Sequence, residues 1–283
     1  MRIELNKVNY AYADGHQALK DVDLSINSGE LVVLIGHSGS GKSTLSLLLA
    51  GLYEPSSGKI CLEGGSKQGN FSGVGLVFQY PEDQLFAETV YEEVSFGPKN
   101  LGVPEDCLPQ MVRQALDAVG LDPERYWHQS PFLLSGGQQR RVCLASLLAM
   151  YPDVLVLDEP AAGLDQQGRR WVMDLVRDLH AKGHTIIWVT HDMTEAAELG
   201  ERIIVLDQGR ILLDGTPKEV FQQESLLQEV GLDIPSAAAV VRQLRNAGIM
   251  VPGEAITPAE AAVEISQWLE HRASNAQGGS ANG

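Results

Sequence analysis

Residues 31–52 constrain the fold of this chain more than any other stretch. Leu31-Val32-Val33-Leu34-Ile35 is a wholly apolar run of strand length, Gly36-His37-Ser38-Gly39-Ser40-Gly41-Lys42-Ser43-Thr44 is a glycine-rich turn, and an apolar helical run starts at about Lys42. The turn fits G-x-x-x-x-G-K-[ST]. Its glycines let backbone N–H groups curl round a phosphate with no side chain in the way. The helix that begins there adds unpaired N–H groups and the positive end of its dipole. In such a loop Lys42 reaches the β- and γ-phosphates and the Ser43 hydroxyl ligates Mg²⁺. A strand–helix turn that needed glycines for geometry alone would not require a lysine and a hydroxyl at its end. Residues Gly36 to Thr44 are therefore expected to bind nucleotide phosphate.

Fully apolar strands recur at Val154–Leu157 and Thr185–Val189, separated by helical stretches at about 136–150 and 167–181 and followed by a helix from about Met193. Strands apolar on both faces between helices predict a parallel sheet covered on both sides, an α/β fold. Residues 1–30 differ. Leu19, Val22, Leu24 and Ile26 repeat mostly at period two between the turns at Asp14-Gly15 and Ser28-Gly29, which predicts antiparallel strands. Further strands are expected at 58–63 and 73–79, with a glycine-rich loop at 64–73. From about 89 to 121 the pattern turns helical, divided by Pro98, Gly102 and Pro104, with Leu108, Val112, Leu116 and Val119 on one face. Strands near 202–206 and 210–213 close the core. Thr216 and Pro217 cap a last core helix.

With 283 residues, 44% of them hydrophobic, the chain is large enough for one large domain or for one domain with an appendage. A net charge of −16 repels nucleic acid and anionic membrane surfaces. Cys61, Cys107 and Cys143 are far apart and form no C-x-x-C, as expected in a reducing compartment. The start does not resemble a signal peptide, and no apolar run approaches membrane-spanning length. Attachment to a membrane is thus expected through partners. Residues 224–274 hold short helices broken by Pro235, Gly248, Pro252 and Pro258, and 275–283 are small and polar, an expected disordered tail.

Two more motifs carry chemistry. Val154-Leu155-Val156-Leu157-Asp158-Glu159 is a buried strand that ends in two carboxylates. A parallel strand delivers its C-terminal residues to the sheet edge where ligands bind, so Asp158 is placed to hold the Mg²⁺ shell and Glu159 to act as general base on an attacking water. Leu134-Ser135-Gly136-Gly137-Gln138 precedes an apolar helix and forms a second anion cradle. Ser135 could be an ordinary helix cap. Two glycines in a first turn, however, cost helix stability, roughly 1 kcal/mol each, which suggests close approach to a ligand.

Together these motifs resemble the nucleotide-binding subunit of an ABC transporter over residues 1 to about 222. Leu134 to Gln138 is that family's signature unaltered. By the same resemblance Gln79 matches the Q-loop glutamine that senses Mg²⁺ and the membrane partner, and Ala162-Gly163-Leu164-Asp165 matches the D-loop. His191 matches the switch histidine at the γ-phosphate, and Tyr12 the aromatic that stacks on adenine. Ala161 stands where many members carry Thr, and Gln139 where a basic residue is common. The segments from Gln79 to Phe86 and from Val94 to Leu101 are more narrowly similar to ATPase subunits of energy-coupling-factor transporters, importers of vitamins and transition-metal ions.

The resemblance implies a P-loop NTPase core at 1–223 with an antiparallel β subdomain and a helical insertion at about 89–150, and a C-terminal helical extension that helps two ATPases associate. It implies catalytic Glu159, His191 and Gln79. ATP would be bound by Tyr12, Gly36 to Thr44 and, from a second ATPase subunit, Ser135, Gly136, Gly137 and Gln138. Mg²⁺ would be held by Ser43, Gln79 and Asp158. Implied partners are that second subunit, identical or paralogous, a transmembrane coupling subunit and a substrate-binding membrane subunit, with no nucleic acid. The chain would sit at the cytoplasmic face of the membrane. The rival readings are a conventional binding-protein-dependent importer ATPase and a soluble ABC ATPase. The latter would need a long coiled-coil insertion or a second ATPase core, and the sequence has neither.

Overall fold

The computed structural model describes residues 1–64, 73–80 and 84–278, the last six of these in backbone only. The loop expected at 64–73 falls outside it except at its two ends, as do 279–283.

Three strands, β1 (Arg2–Ala11), β2 (Gln17–Ile26) and β4 (Ser57–Glu63), form an antiparallel sheet in the order β2-β1-β4. Between them in sequence come β3 (Leu31–Ile35) and α1 (Lys42–Leu49). The second sheet contains β3 with β5 (Val74–Val77), β6 (Val154–Asp158), β7 (Thr185–Val189), β8 (Arg202–Asp207) and β9 (Arg210–Gly215), in the order β5-β6-β7-β3-β8-β9. It is parallel except at β9.

The apolar strands fill both faces of this sheet, as their composition predicts. Val33, Ile35, Leu155, Leu157, Ile186 and Trp188 belong to the core under the helices. The alternate residues Val32, Leu34, Val154, Val156, Ile187 and Val189 face α1 and the antiparallel sheet. A period of two thus splits each strand between two cores.

The helical region comprises α2 (Val90–Asn100), α3 (Leu108–Ala118), α4 (Pro123–Tyr126) and α5 (Gly136–Leu148). Its buried residues Val94, Val112, Leu116, Val142 and Ala145 share one cluster with the parallel sheet. Pro98 does not divide the first helix, as expected from sequence, but lies inside α2. Its missing N–H falls near the end, where Leu101 N–H already bonds back to the Gly97 carbonyl and Gly102, at φ +80°, stops the helix.

Helices α6 (Gln166–Ala181) and α7 (Met193–Leu199) complete the α/β core, and α8 (Pro217–Gln222) follows with Thr216 as its cap. Beyond it are α9 (Glu224–Glu229), α10 (Ser236–Asn246) and α11 (Pro258–Gly278). The backbone of α11 takes in 275–278, which the sequence assigns to a disordered tail. Each residue added to an established helix gains a hydrogen bond at low cost.

Candidate active site

The loops after β5, β6, β7 and β3 leave the same edge of the parallel sheet, at which β8 also ends, and this edge carries Gln79, Glu159, His191, the phosphate loop and Asp207. Strand order alone therefore gathers residues from distant parts of the chain.

The phosphate loop needs its glycines at specific points. A Cβ on Gly36 would lie 2.3 Å from the Leu206 carbonyl oxygen. Gly41 has φ +109°, and a Cβ there would lie 2.6 Å from the Ala18 carbonyl oxygen. Ser38 and Gly39 are exposed at the crown. His37 pins the loop to the end of β8: its Nε2 lies 3.0 Å from Asp207 Oδ1 and its Nδ1 2.6 Å from the Ser38 carbonyl oxygen. Ser40 is fully buried, and its hydroxyl has no hydrogen-bond partner among the described residues.

Lys42 folds back over the loop, donating to the carbonyl oxygens of Gly36 at 2.7 Å and His37 at 3.0 Å. Burial lowers its pKa, while the negative charges of Glu159 and Asp158 act to raise it. Asp158, only 8% exposed, has its carboxyl pKa raised by burial and by Glu159. A hydrogen bond from Ser43 and the charge of Lys42 oppose that rise. The two expected magnesium ligands Ser43 and Asp158 are thus in contact.

Glu159 is in the left-handed region, φ +49°, uncommon for a side chain of its size. Its N–H donates to the Val189 carbonyl at 2.9 Å, continuing the ladder with β7. Its carboxylate then meets both other predicted catalytic groups. Oε1 is 2.8 Å from His191 Nδ1, and Oε2 accepts from Gln79 Nε2 at 3.1 Å.

Tyr12 lies over the start of α1, its hydroxyl 2.8 Å from Thr44 Oγ1. Its ring is nearly parallel to His16, centroids 6.3 Å apart. Tyr12, His16, Lys42, Ser43, Gln79 and Glu159 line a cleft of about 330 Å³ with Ser38, Gly39 and Thr44.

The signature residues do not line this cleft. Ser135 precedes α5, and its N–H donates to Gln138 Oε1 at 3.0 Å. Gln138 Nε2 donates to the Tyr126 hydroxyl at 2.9 Å. Gly136 and Gly137 are exposed, and a Cβ on either would meet nothing within 4 Å. Crowding within the chain does not explain these glycines.

Sequence reasoning missed His16, the His37–Asp207 link and Arg140, whose buried guanidinium donates to the carbonyl oxygens of Pro160 at 3.1 Å and Ala162 at 2.8 Å. The turn at Asp14-Gly15 hinted at His16. Nothing local pairs residues as distant as His37 and Asp207.

The donor set fits a magnesium nucleotide. Among the described residues no group of three or more His, Cys, Asp or Glu is arranged to hold a metal. The hydroxyl, amide and carboxylate of Ser43, Gln79 and Asp158 suit an ion that keeps waters and takes further ligands from phosphates.

Comparison with known proteins agrees with this geometry. The family described as ABC transporter matches residues 19–162. The energy-coupling factor transporter ATP-binding protein EcfA2 of Caldanaerobacter subterraneus subsp. tengcongensis is 43% identical over 95% of this chain and 98% of its own length. The EcfA2 protein of Streptococcus thermophilus (strain ATCC BAA-491 / LMD-9) is 46% identical over 88% of this chain and 93% of its own. Among solved structures, cbiO1 of Clostridium perfringens, described as part of the ABC transporter complex cbiONQ, is 35% identical with a TM-score of 0.69, covering 87% of this chain and 96% of that one. The ATP-binding cassette MJ0796, a dimer in a post-hydrolysis state bound to ADP and Pi, is 30% identical with a TM-score of 0.65, covering 76% and 98%. The chain belongs to the ABC transporter family, among the ATP-binding proteins of energy-coupling factor transporters.

Proposed function

We propose that this ATPase hydrolyses magnesium ATP at composite sites shared with a second ATPase subunit, and that the cycle drives uptake of a vitamin or transition-metal ion through membrane partners. The observation that carries the reading is the position of Glu159 between Gln79 and His191 at the mouth of the phosphate-loop cleft.

In this reading Lys42 exchanges its bonds to Gly36 and His37 for the β- and γ-phosphates. Ser43, Asp158 and Gln79 would hold Mg²⁺, which when bound would supply charge neutralisation on those phosphates. Glu159 orients a water, whose oxygen bonds to the γ-phosphorus as the bond to the β–γ bridging oxygen breaks, and the carboxylate takes the water's proton. His191 contacts the γ-phosphate, and Tyr12 stacks on the base. The exposed Gly136 and Gly137 of one chain cover the nucleotide held by the other, so neither chain alone completes a site.

The membrane contact is assigned to a groove of about 400 Å³ between β5, α2 and α5, lined by Phe86, Phe96, Leu147 and Met150 among others. Phe86 is 56% and Phe96 47% exposed, and their rings meet edge to face at 4.7 Å. Among the described residues no helix is long and apolar enough to cross a membrane. In this reading the chain sits at the cytoplasmic face, held by a transmembrane coupling subunit that works with a substrate-binding membrane subunit.

Glu159→Gln tests the reading. The variant should bind ATP, release phosphate about 10²–10⁴ times more slowly, and accumulate as a closed ATP-bound dimer in sedimentation. Phosphate release near the wild-type rate would show that Glu159 is not the base.

A further inference from the structure

Arg169, in the first turn of α6, reaches back between two loops of the site. Its Nε donates to the Leu164 carbonyl oxygen at 3.3 Å, and one terminal nitrogen donates to Asp192 Oδ2 at 3.1 Å and lies 3.7 Å from Glu195 Oε1. Leu164 belongs to the loop that follows Glu159, and Asp192 follows His191 directly.

The surroundings of His191 are tied side chain by side chain. Asp192 Oδ1 accepts the N–H groups of Thr194 at 2.8 Å and Glu195 at 3.3 Å, capping α7. The Thr190 hydroxyl donates to Glu195 Oε2 at 2.7 Å and accepts from Asp192 N–H at 3.0 Å. Glu195 is only 7% exposed, so this mesh is largely internal. The His191 side chain, by contrast, is 68% exposed. Apart from its contact with Glu159, its position is set by the backbone of 190–192, and that backbone is anchored through Asp192. The start of the loop after Glu159 is held separately, by Arg140 at the Pro160 and Ala162 carbonyls.

We propose that Arg169 is a positioning residue for ATP hydrolysis, fastening the loop after Glu159 and the His191 segment into one unit. The inference rests on the reading of His191 as a γ-phosphate contact. The planar guanidinium suits the task because its fixed fork serves several acceptors at once, where lysine would serve one. A bland reading also exists. The Arg169 side chain is 42% exposed, and an ion pair so placed can contribute almost nothing. The two readings differ in whether the residue acts through His191.

The test is a double-mutant cycle on phosphate release by the full-length protein assembled with its partner ATPase. Arg169→Gln should lower kcat roughly ten- to hundredfold, the scale of a misplaced catalytic group, and leave KM for ATP within about twofold. Arg169→Lys should recover part of the loss. In combination with His191→Ala, Arg169→Gln should add no further loss. Asp192→Asn supplies a second route and decides the matter if Arg169→Gln fails to fold. Asparagine caps a helix as well as aspartate does, so α7 is kept while the charge facing Arg169 is removed, and kcat should again fall at constant KM. Unchanged kcat in these variants, or losses that multiply in the double mutant, would overturn the proposal while leaving His191 in its role. A wild-type rate in His191→Ala would instead remove the reading on which the proposal rests, and the proposal with it.

Discussion

Lys42 is held by the loop it serves. Its ammonium bonds to two loop carbonyls and the residue is only 8% exposed, so in the proposed reading the charge is already largely desolvated before a nucleotide binds. Charge-assisted bonds to phosphate are among the strongest a side chain makes. Lys42→Ala should therefore abolish tight ATP binding, measured with a fluorescent nucleotide. It should also cost about 1–3 kcal/mol of stability, because the Gly36 and His37 carbonyls lose their donor. Affinity equal to wild type would sink the assignment of the phosphate loop. At this scale the sequence was legible wherever residue type and spacing jointly serve one chemistry. Lys42, Ser43, Asp158 and Glu159 could be read because a strand end or a glycine turn fixes what stands beside it. The left-handed backbone of Glu159 could not be read, since nothing in its sequence neighbours calls for it. The pairing of His37 with Asp207 was hidden for the same reason.

Leu85 and Phe86 show how an element sorts its side chains. Both follow Gln79 in the segment similar to energy-coupling-factor transporter ATPases, yet the structure divides them. Leu85 is 7% exposed and part of the main core, while Phe86 stands out into the groove. The division is enforced by Glu93 in α2, a buried carboxylate that accepts the N–H groups of Phe86 at 3.0 Å and Ala87 at 2.9 Å. Phe86→Ala should thus melt like wild type but fail to transport when reconstituted with the membrane subunits. Leu85→Ala should lose about 2–5 kcal/mol of stability, as core leucines do. A Phe86→Ala protein that unfolds early would return that residue to the core; normal transport by a well-folded one would remove it from the coupling surface. The strands and the order of the elements were legible because their apolar runs leave few alternatives. Helix limits were less so. Pro98 reads as a break, but a proline close to a helix end forfeits a bond that fraying would weaken anyway. The helix α4 carries its own signals in Asp122 as cap and Pro123 at the first position, but four residues are too few to show a period.

The extension beyond α8 belongs partly to its own ATPase core and partly to a surface left open. Leu227, Leu232 and Ile256 are at most 8% exposed and lie in the main cluster. Gln222 donates to Glu254 at 2.6 Å, Lys218 pairs with Glu260 at 3.6 Å, and Arg242 pairs with Glu224. A smaller cluster of Ala237, Val241, Val251, Ala255 and Ala261 holds α10 to α11. Yet Val240 is 47%, Met250 73%, Val263 56% and Leu269 54% exposed. Cutting after Gln223 would open the core itself. Three buried apolar side chains at about 1.5–3 kcal/mol each rival the whole stability of a domain, about 5–15 kcal/mol. A cut after Asp233 is the sharper experiment, since it keeps Leu227 and Leu232 in place. That shortened chain should still melt cooperatively and bind ATP. Its association with the second ATPase subunit in the absence of nucleotide should weaken, because the outward-facing apolar side chains of α10, α11 and the turn between them are gone. Sedimentation without ATP, with the partner ATPase present, measures this directly. Association as strong as that of the full-length chain would show that the extension does not hold the two ATPases together.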